Sequence, residues 1–297
     1  MGNPSWSSWT KMPGIKTKVG VSAIASGNAV MVAATDENGA VQINTNVLDG
    51  DLSGWSPIPG VQTNVTPLLT INPDATLALY VAGTDERVYL NLSSDGSNWG
   101  AAWTVIPDVK TKHGLCASPD WYLFSVGLSG QIWMNANPPA GAWTELVIAG
   151  NAFRTNASLY SGPTDSAFEG AALYAKGLDD KIWMCNPNGD QDPSPWTKIE
   201  GETYVGIAGV PLFTLTGEGF ALFMTGRHNE IFFSYNSLGD SAPWTVIDGF
   251  KTNAALAAAA VNTLTAAGDL SLCSVYLFGK GVDEGDIRYA VGQWTAD

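Results

Sequence analysis

Short apolar runs alternate with polar positions along the whole chain and are broken every few residues by Gly, Pro, Asn or Asp. That period of two predicts half-buried strands joined by tight turns. One hairpin pattern recurs six times. An apolar run closes on a Gly- or Asp-bearing turn at 31–36, 80–85, 124–129, 174–179, 223–228 and 278–283, and a second apolar run follows at 41–43, 88–90, 132–134, 182–184, 231–233 and 287–289. Ahead of each hairpin lies a stretch of small residues. The alanine-rich one at 254–261 favours a helix on propensity alone, but it occupies the place where the other repeats carry strand-like text, so a strand is expected there.

Tryptophan followed by Ser or Thr marks the repeat. Trp9, Trp55, Trp103, Trp143, Trp196, Trp244 and Trp294 stand 46, 48, 40, 53, 48 and 50 residues apart. Behind most of them comes a turn pair such as Pro13-Gly14, Pro59-Gly60 or Asp248-Gly249. A polar ending then follows: Thr17-Lys18, Thr63-Asn64, Thr111-Lys112 or Thr252-Asn253. The fourth marker reaches Thr155-Asn156 only after an insertion, and the fifth runs into Thr203-Tyr204. Four strands per interval of this length is the period of a β-propeller blade. The expected fold is therefore all-β: one domain spanning 1–297, with six blades of four antiparallel strands. The N-terminal run from Trp9 to Met12 is expected to supply the outer strand that closes the ring, which removes an exposed edge.

Composition narrows the function. The chain has 14 Lys and Arg against 28 Asp and Glu, a net charge of −14, and its acidity argues against nucleic acid and anionic membrane surfaces as partners. No apolar stretch approaches the roughly 20 residues that cross a bilayer, so membrane insertion is not expected. The first residues lack the apolar core of a secretory signal, which points to cytoplasmic storage or to secretion without a recognisable signal peptide. Cys116, Cys185 and Cys273 lie in apolar segments without metal-ligand spacing, so buried free thiols are expected, with no metal and no cofactor.

With the repeat established, the chain resembles β-propeller lectins: the bacterial PLL-like fucose-binding family and, more distantly, tectonin-type and fucose-specific six-bladed fungal lectins. The resemblance spans nearly the whole chain. It rests on the aromatic-centred strand and turn at 80–85, on Ile132-Trp133, on the Trp6 to Trp9 motif and on the 60–63 ending. It implies a carbohydrate-binding protein with several similar glycan sites, fucose among the candidate sugars, and glycans of glycoproteins or glycolipids as partners, with homo-oligomerisation open. The chain departs from the resemblance in its mostly apolar middle strands, in the Met that follows Trp133 and Trp183, and in having only Arg87, Arg154, Arg227 and Arg288 where fucose-specific propellers carry an Arg and a Glu in every repeat.

Aromatic faces hold the apolar face of a neutral sugar while a few polar groups orient it. The candidate binding residues are accordingly Trp133, Trp183 and Tyr89 on the third strands, with Thr63, Asn64, Thr111, Lys112, Thr155, Asn156, Thr252 and Asn253 at the loops behind the markers. Those hydroxyls and amides have a competing use in capping their own turns. The marker tryptophans are expected to pack between blades.

Two other classes compete with the lectin reading. One is a six-bladed hydrolase, either sialidase-like or metal-dependent, and the other is a protein-binding scaffold. Residues 93–99 approach an Asp-box but are one residue short and read as a turn. The acidic groups Asp49/Asp51, Asp190/Asp192 and Asp283/Glu284/Asp286 read as turn carboxylates, and no nucleophile elbow or phosphate loop occurs. No catalytic residue is assigned.

Overall fold

A computed structural model describes residues 4–295, apart from 28, 46, 49–51, 53, 73, 119–121, 149–150, 164–170, 188–194, 215–216, 238–239, 242 and 265–269. The described residues contain no helix. Six antiparallel sheets follow one another along the chain. Blade 1 comprises Ser22–Ser26, Ala29–Thr35, Ala40–Asn44 and Trp55–Gln62, and blade 2 comprises Leu68–Ile71, Leu77–Ala82, Arg87–Ser93 and Thr104–Lys110. Blade 3 is Cys116–Ala117, Leu123–Val126, Ile132–Asn135 and Trp143–Glu145; blade 4 is Tyr160–Pro163, Ala171–Lys176, Lys181–Cys185 and Thr197–Glu202. Blade 5 has Ala208–Thr214, Gly217–Thr225 and Ile231–Ser237, with its outer edge split into Asp240–Ser241 and Thr245–Ile247. The insertion after Trp143 forms a small hairpin of Val147–Ile148 and Asn151–Ala152.

Blade 6 takes Ala257–Leu264, Leu270–Lys280 and Asp286–Thr295 from the end of the chain and Thr10–Lys16 from its beginning. Thr10 pairs with Tyr289, Lys11 with Arg288 and Met12 with Ile287, so the N-terminal run closes the ring as expected. The alanine-rich run is a strand, because the register Ala257 to Phe278 supplies ladder partners that outweigh helix propensity. Trp294 differs from the other markers. It lies on a third strand opposite Cys273, buried and edge-on to Trp6 at 5.9 Å, whereas the others begin outer strands.

Each inner strand touches the inner strands of both neighbouring blades, which closes the circle. The core is divided accordingly into six apolar layers, each shared by two adjacent blades. Second strands lie between two such layers, and Leu77–Ala82 is buried at every position, which explains their continuous apolar text.

The marker tryptophans lock neighbouring blades together. Nε1 of Trp55, Trp103, Trp244 and Trp9 donates to the carbonyls of Pro13, Pro59, Glu200 and Asp248 at 3.0, 2.8, 2.7 and 3.0 Å. Each acceptor precedes a glycine with positive φ, at Gly14, Gly60, Gly201 and Gly249, a bend that turns the carbonyl outward and that glycine adopts at low cost. All three cysteines are free and buried, and burial raises their thiol pKa values, that of Cys273 to about 11.

Candidate functional site

Superposing the repeats by strand register aligns one third-strand position around the ring: Gln42, Tyr89, Trp133, Trp183, Phe232 and Arg288. Each is partly exposed and lies beside the gap to the preceding blade. In the gap between blades 3 and 4, Phe153 lies 5.8 Å edge-on to Trp183 and stacks at 4.1 Å on the marker Trp196. Between blades 5 and 6, Phe250 lies 4.7 Å from the marker Trp9, and the Arg288 guanidinium sits over its ring at 5.5 Å. Between blades 1 and 2 the corresponding set is Val61, Tyr89 and Trp103; between blades 2 and 3 it is Val109, Trp133 and Trp143. The ring thus carries a repeated inter-blade groove with an apolar floor.

A carboxylate borders two of the aromatic positions. Tyr89 donates its hydroxyl to Asp85 at 2.8 Å, and the Trp183 indole N–H reaches Asp179 at 3.2 Å. For Asp85, desolvation raises the pKa, but the Tyr89 hydroxyl, the Arg87 backbone N–H and the Arg87 charge outweigh it, so the net shift is downward. Asp179 follows the same logic: desolvation raises its pKa, while the Trp183 indole, the Lys181 N–H and Lys198 together bring it down. Both are carboxylates at neutral pH. The Asp85 hydrogen bond in turn raises the pKa of Tyr89. An ionised carboxylate has about four acceptor sites, so beside a half-exposed ring it retains capacity for ligand hydroxyls.

The loop threonines serve the competing use, capping their own turns, and are not placed to bind sugar. Thr63, Thr111, Thr155 and Thr252 are buried, and each hydroxyl accepts from the backbone N–H two residues on, at 3.2, 3.0, 3.1 and 3.2 Å. Thr17 and Thr203 do the same at 3.2 and 3.4 Å. These hydroxyls hold the chain as it enters the next blade and do not face solvent, because ring closure covers them. Asn64, Lys112, Asn156 and Asn253 are exposed. Lys112 pairs with Glu86 at 3.1 Å, while Asn156 and Asn253 accept from the buried Lys176 and Lys280 at 2.8 and 2.7 Å. The structure places Tyr89, Trp133 and Trp183 at equivalent positions of successive grooves rather than in one pocket. Phe153 and Phe250 were not among the candidates, although aligning the residue two before each Thr ending picks out both, and Arg288 was noted only as one of four arginines.

A cavity of about 490 Å³ runs along the ring axis, lined by inner-strand residues such as Ala23, Leu68, Cys116, Ser161 and Ala258. Its described lining holds no charged side chain. Among the described residues no three His, Cys, Asp or Glu side chains gather as a metal site. Asp49, Asp51, Asp190 and Asp192 lie outside the described residues. Asp286 is buried and bonded to Arg288 at 2.7 Å, and Asp95 closes the 93–99 turn by accepting from the Ser97 and Asn98 N–H groups at 2.9 Å.

No protein-family model matches the chain, and no curated protein matches it. Solved structures do. AofleA from Arthrobotrys oligospora superposes with a TM-score of 0.63 at 10% identity, covering 99% of this chain and 90% of that one. The Aleuria aurantia lectin, described as a six-bladed β-propeller with a novel fucose recognition mode, gives 0.59 at 14% identity over 95% and 93%. The SapL1 lectin in complex with α-methyl fucoside gives 0.58 at 15% identity over 97% and 98%. At these identities the likeness shows a shared fold, that of a six-bladed propeller.

Proposed function

We propose that the protein is a lectin that holds neutral sugars, fucose-type sugars among them, in several inter-blade grooves, without catalysis. The observation that carries this reading is the recurrence, at one register position, of a half-exposed aromatic ring over an apolar floor, at Tyr89, Trp133 and Trp183. Such a ring offers its face to the C–H surface of a pyranose, and a carboxylate of the kind beside Tyr89 and Trp183 accepts its hydroxyls. The fold shared with lectins whose structures concern fucose or a fucoside supports the sugar class. Glycans on glycoproteins or glycolipids are the natural partners of such a ring, since shallow sites gain strength by acting together.

A glycan array probed with the purified protein and with Trp133→Ala and Trp183→Ala tests this. Expected are retention on immobilised glycans, weaker inhibition by free monosaccharide, and reduced retention of both variants with the propeller intact. Absence of retention on every glycan, or turnover of a glycoside, overturns the reading.

A further inference from the structure

The six grooves are not equivalent, and their differences sort by position around the ring. Three consecutive grooves, preceding blades 2, 3 and 4, present Tyr89, Trp133 and Trp183. Each ring lies across the glycine that ends the second strand. A Cβ built on Gly83 would stand 2.8 Å from the Tyr89 ring, and one on Gly127 or Gly177 would stand 2.6 Å from the indole nitrogen of Trp133 or Trp183. The next residue, at the hairpin tip beside each ring, is uncharged: Thr84, Leu128 and Leu178. The two leucines are 52% and 65% exposed, which is where an apolar ligand surface would be covered.

The other three grooves differ. Before blade 5 a ring again lies across the glycine, with a Cβ on Gly226 standing 2.6 Å from Phe232, but that ring has no polar edge, and the hairpin-tip residue is Arg227, which lies over Tyr204 at 5.6 Å and pairs with Glu202 at 3.3 Å. Glu202 also binds Lys181. Before blade 6, Arg288 replaces the aromatic and is engaged by Asp286 at 2.7 Å and by the Phe250 ring. Before blade 1 the position is Gln42, within 3.5 Å of Asp36. What sets the first three grooves apart is a ring with a polar edge, the Tyr89 hydroxyl or the Trp133 and Trp183 indole N–H, beside an uncharged hairpin tip; the others offer Phe232, Arg288 or Gln42 at that position.

We propose that glycan binding is confined to one sector, the three adjacent grooves of blades 2 to 4, and that its ligand is a cluster of uncharged sugar units presented close together. This rests on the lectin reading and adds its valency and direction. Three neighbouring sites take up half of the six grooves, so the ring meets a glycan-coated surface with one side while the half bearing Arg227 and Arg288 stays free. Uncharged sugars suit the sector because the carboxylates beside Tyr89 and Trp183 are each offset by a cation, Arg87 at 3.8 Å from Asp85 and Lys198 at 3.7 Å from Asp179, and the hairpin tips are neutral.

Stoichiometry and indole resonances test this directly. The full chain, labelled with ¹⁵N, is titrated with methyl glycosides of L-fucose, D-galactose, D-mannose and N-acetylglucosamine, and bound ligands are counted by native mass spectrometry. The expected result is up to three ligands per chain, with the indole signals of Trp133 and Trp183 shifting. The count falls to two in Tyr89→Ala, Trp133→Ala or Trp183→Ala and is unchanged in Arg288→Gln. Double replacement of Trp133 and Trp183 lowers apparent affinity for immobilised glycan by roughly 10²-fold or more, since one remaining site has no avidity. Melting curves of each variant separate lost sites from lost fold. More than three ligands, or loss of ligand in Arg288→Gln, overturns the sector while leaving the lectin. Absence of any bound glycoside and of any shifted indole overturns both.

Discussion

The Trp183 indole nitrogen lies so close to Gly177 that a methyl group on that glycine would stand 2.6 Å away. This glycine does not have the positive φ that marks the turn glycines, so the adjacent ring and the still closer Asp179 carboxylate are what require it. Gly177→Ala should therefore displace the indole together with the Asp179 carboxylate bonded to it, costing about 1–3 kcal/mol from overpacking, and should weaken glycan binding as Trp183→Ala does. Thermal melting with indole chemical shifts checks this. An unshifted Trp183 signal in a variant of full stability contradicts it.

The inter-blade lock gives a paired comparison. Trp103 donates to the Pro59 carbonyl at 2.8 Å, whereas the buried Trp143 nitrogen has no partner among the described residues. The corresponding bend in blade 2 is made by Asp108, not by glycine. Both Trp→Phe substitutions remove the same ring atoms. Trp103→Phe also loses a hydrogen bond and should be the more costly by about 1 kcal/mol in denaturant unfolding. Equal losses would remove the lock from the account.

Thr63 accepts from the Val65 N–H at 3.2 Å and donates to the Ala82 carbonyl at 2.5 Å. Thr63→Val keeps the shape and removes the hydroxyl, leaving buried partners unmatched at a cost of about 1–3 kcal/mol. Thr63→Ser should recover most of it. Glycan retention measured below the melting temperature should be unchanged in both.

The Asp95 turn predicts an acid response. The backbone N–H groups of Asn98 and Ser97, then the Asn98 side chain, hold its pKa near 2, below the usual 3.8. A depressed carboxylate contributes stability that is complete above the unfolded value and lost as pH falls through the folded one. Melting temperature should therefore decline between about pH 4 and 2 partly through this group, and Asp95→Asn should flatten that part of the decline. Parallel melting curves of the two proteins in this range would contradict the assignment.

The repeat was legible because strand alternation, turn residues and the Trp-Ser/Thr spacing are local properties, and six copies of a weak pattern reinforce one another. The blade count, the closing role of Thr10–Lys16 and the strand state of Ala257–Leu264 follow from it. Tyr89, Trp133 and Trp183 were likewise visible as aromatic residues at one repeat position. Burial was not visible, because it depends on the neighbouring blade. Thr63, Thr111, Thr155 and Thr252 read as polar loop residues until ring closure covers them. Trp294 has the same local text as Trp55 yet lies on a third strand, since the outer place is filled from the other end of the chain. Phe153 and Phe250 gain their meaning from rings on the next blade, Trp183 and Trp196 in one case and Trp9 in the other. Which strands form is encoded within each repeat; which side chains share a groove depends on packing between repeats distant in sequence, and that is set when the ring closes.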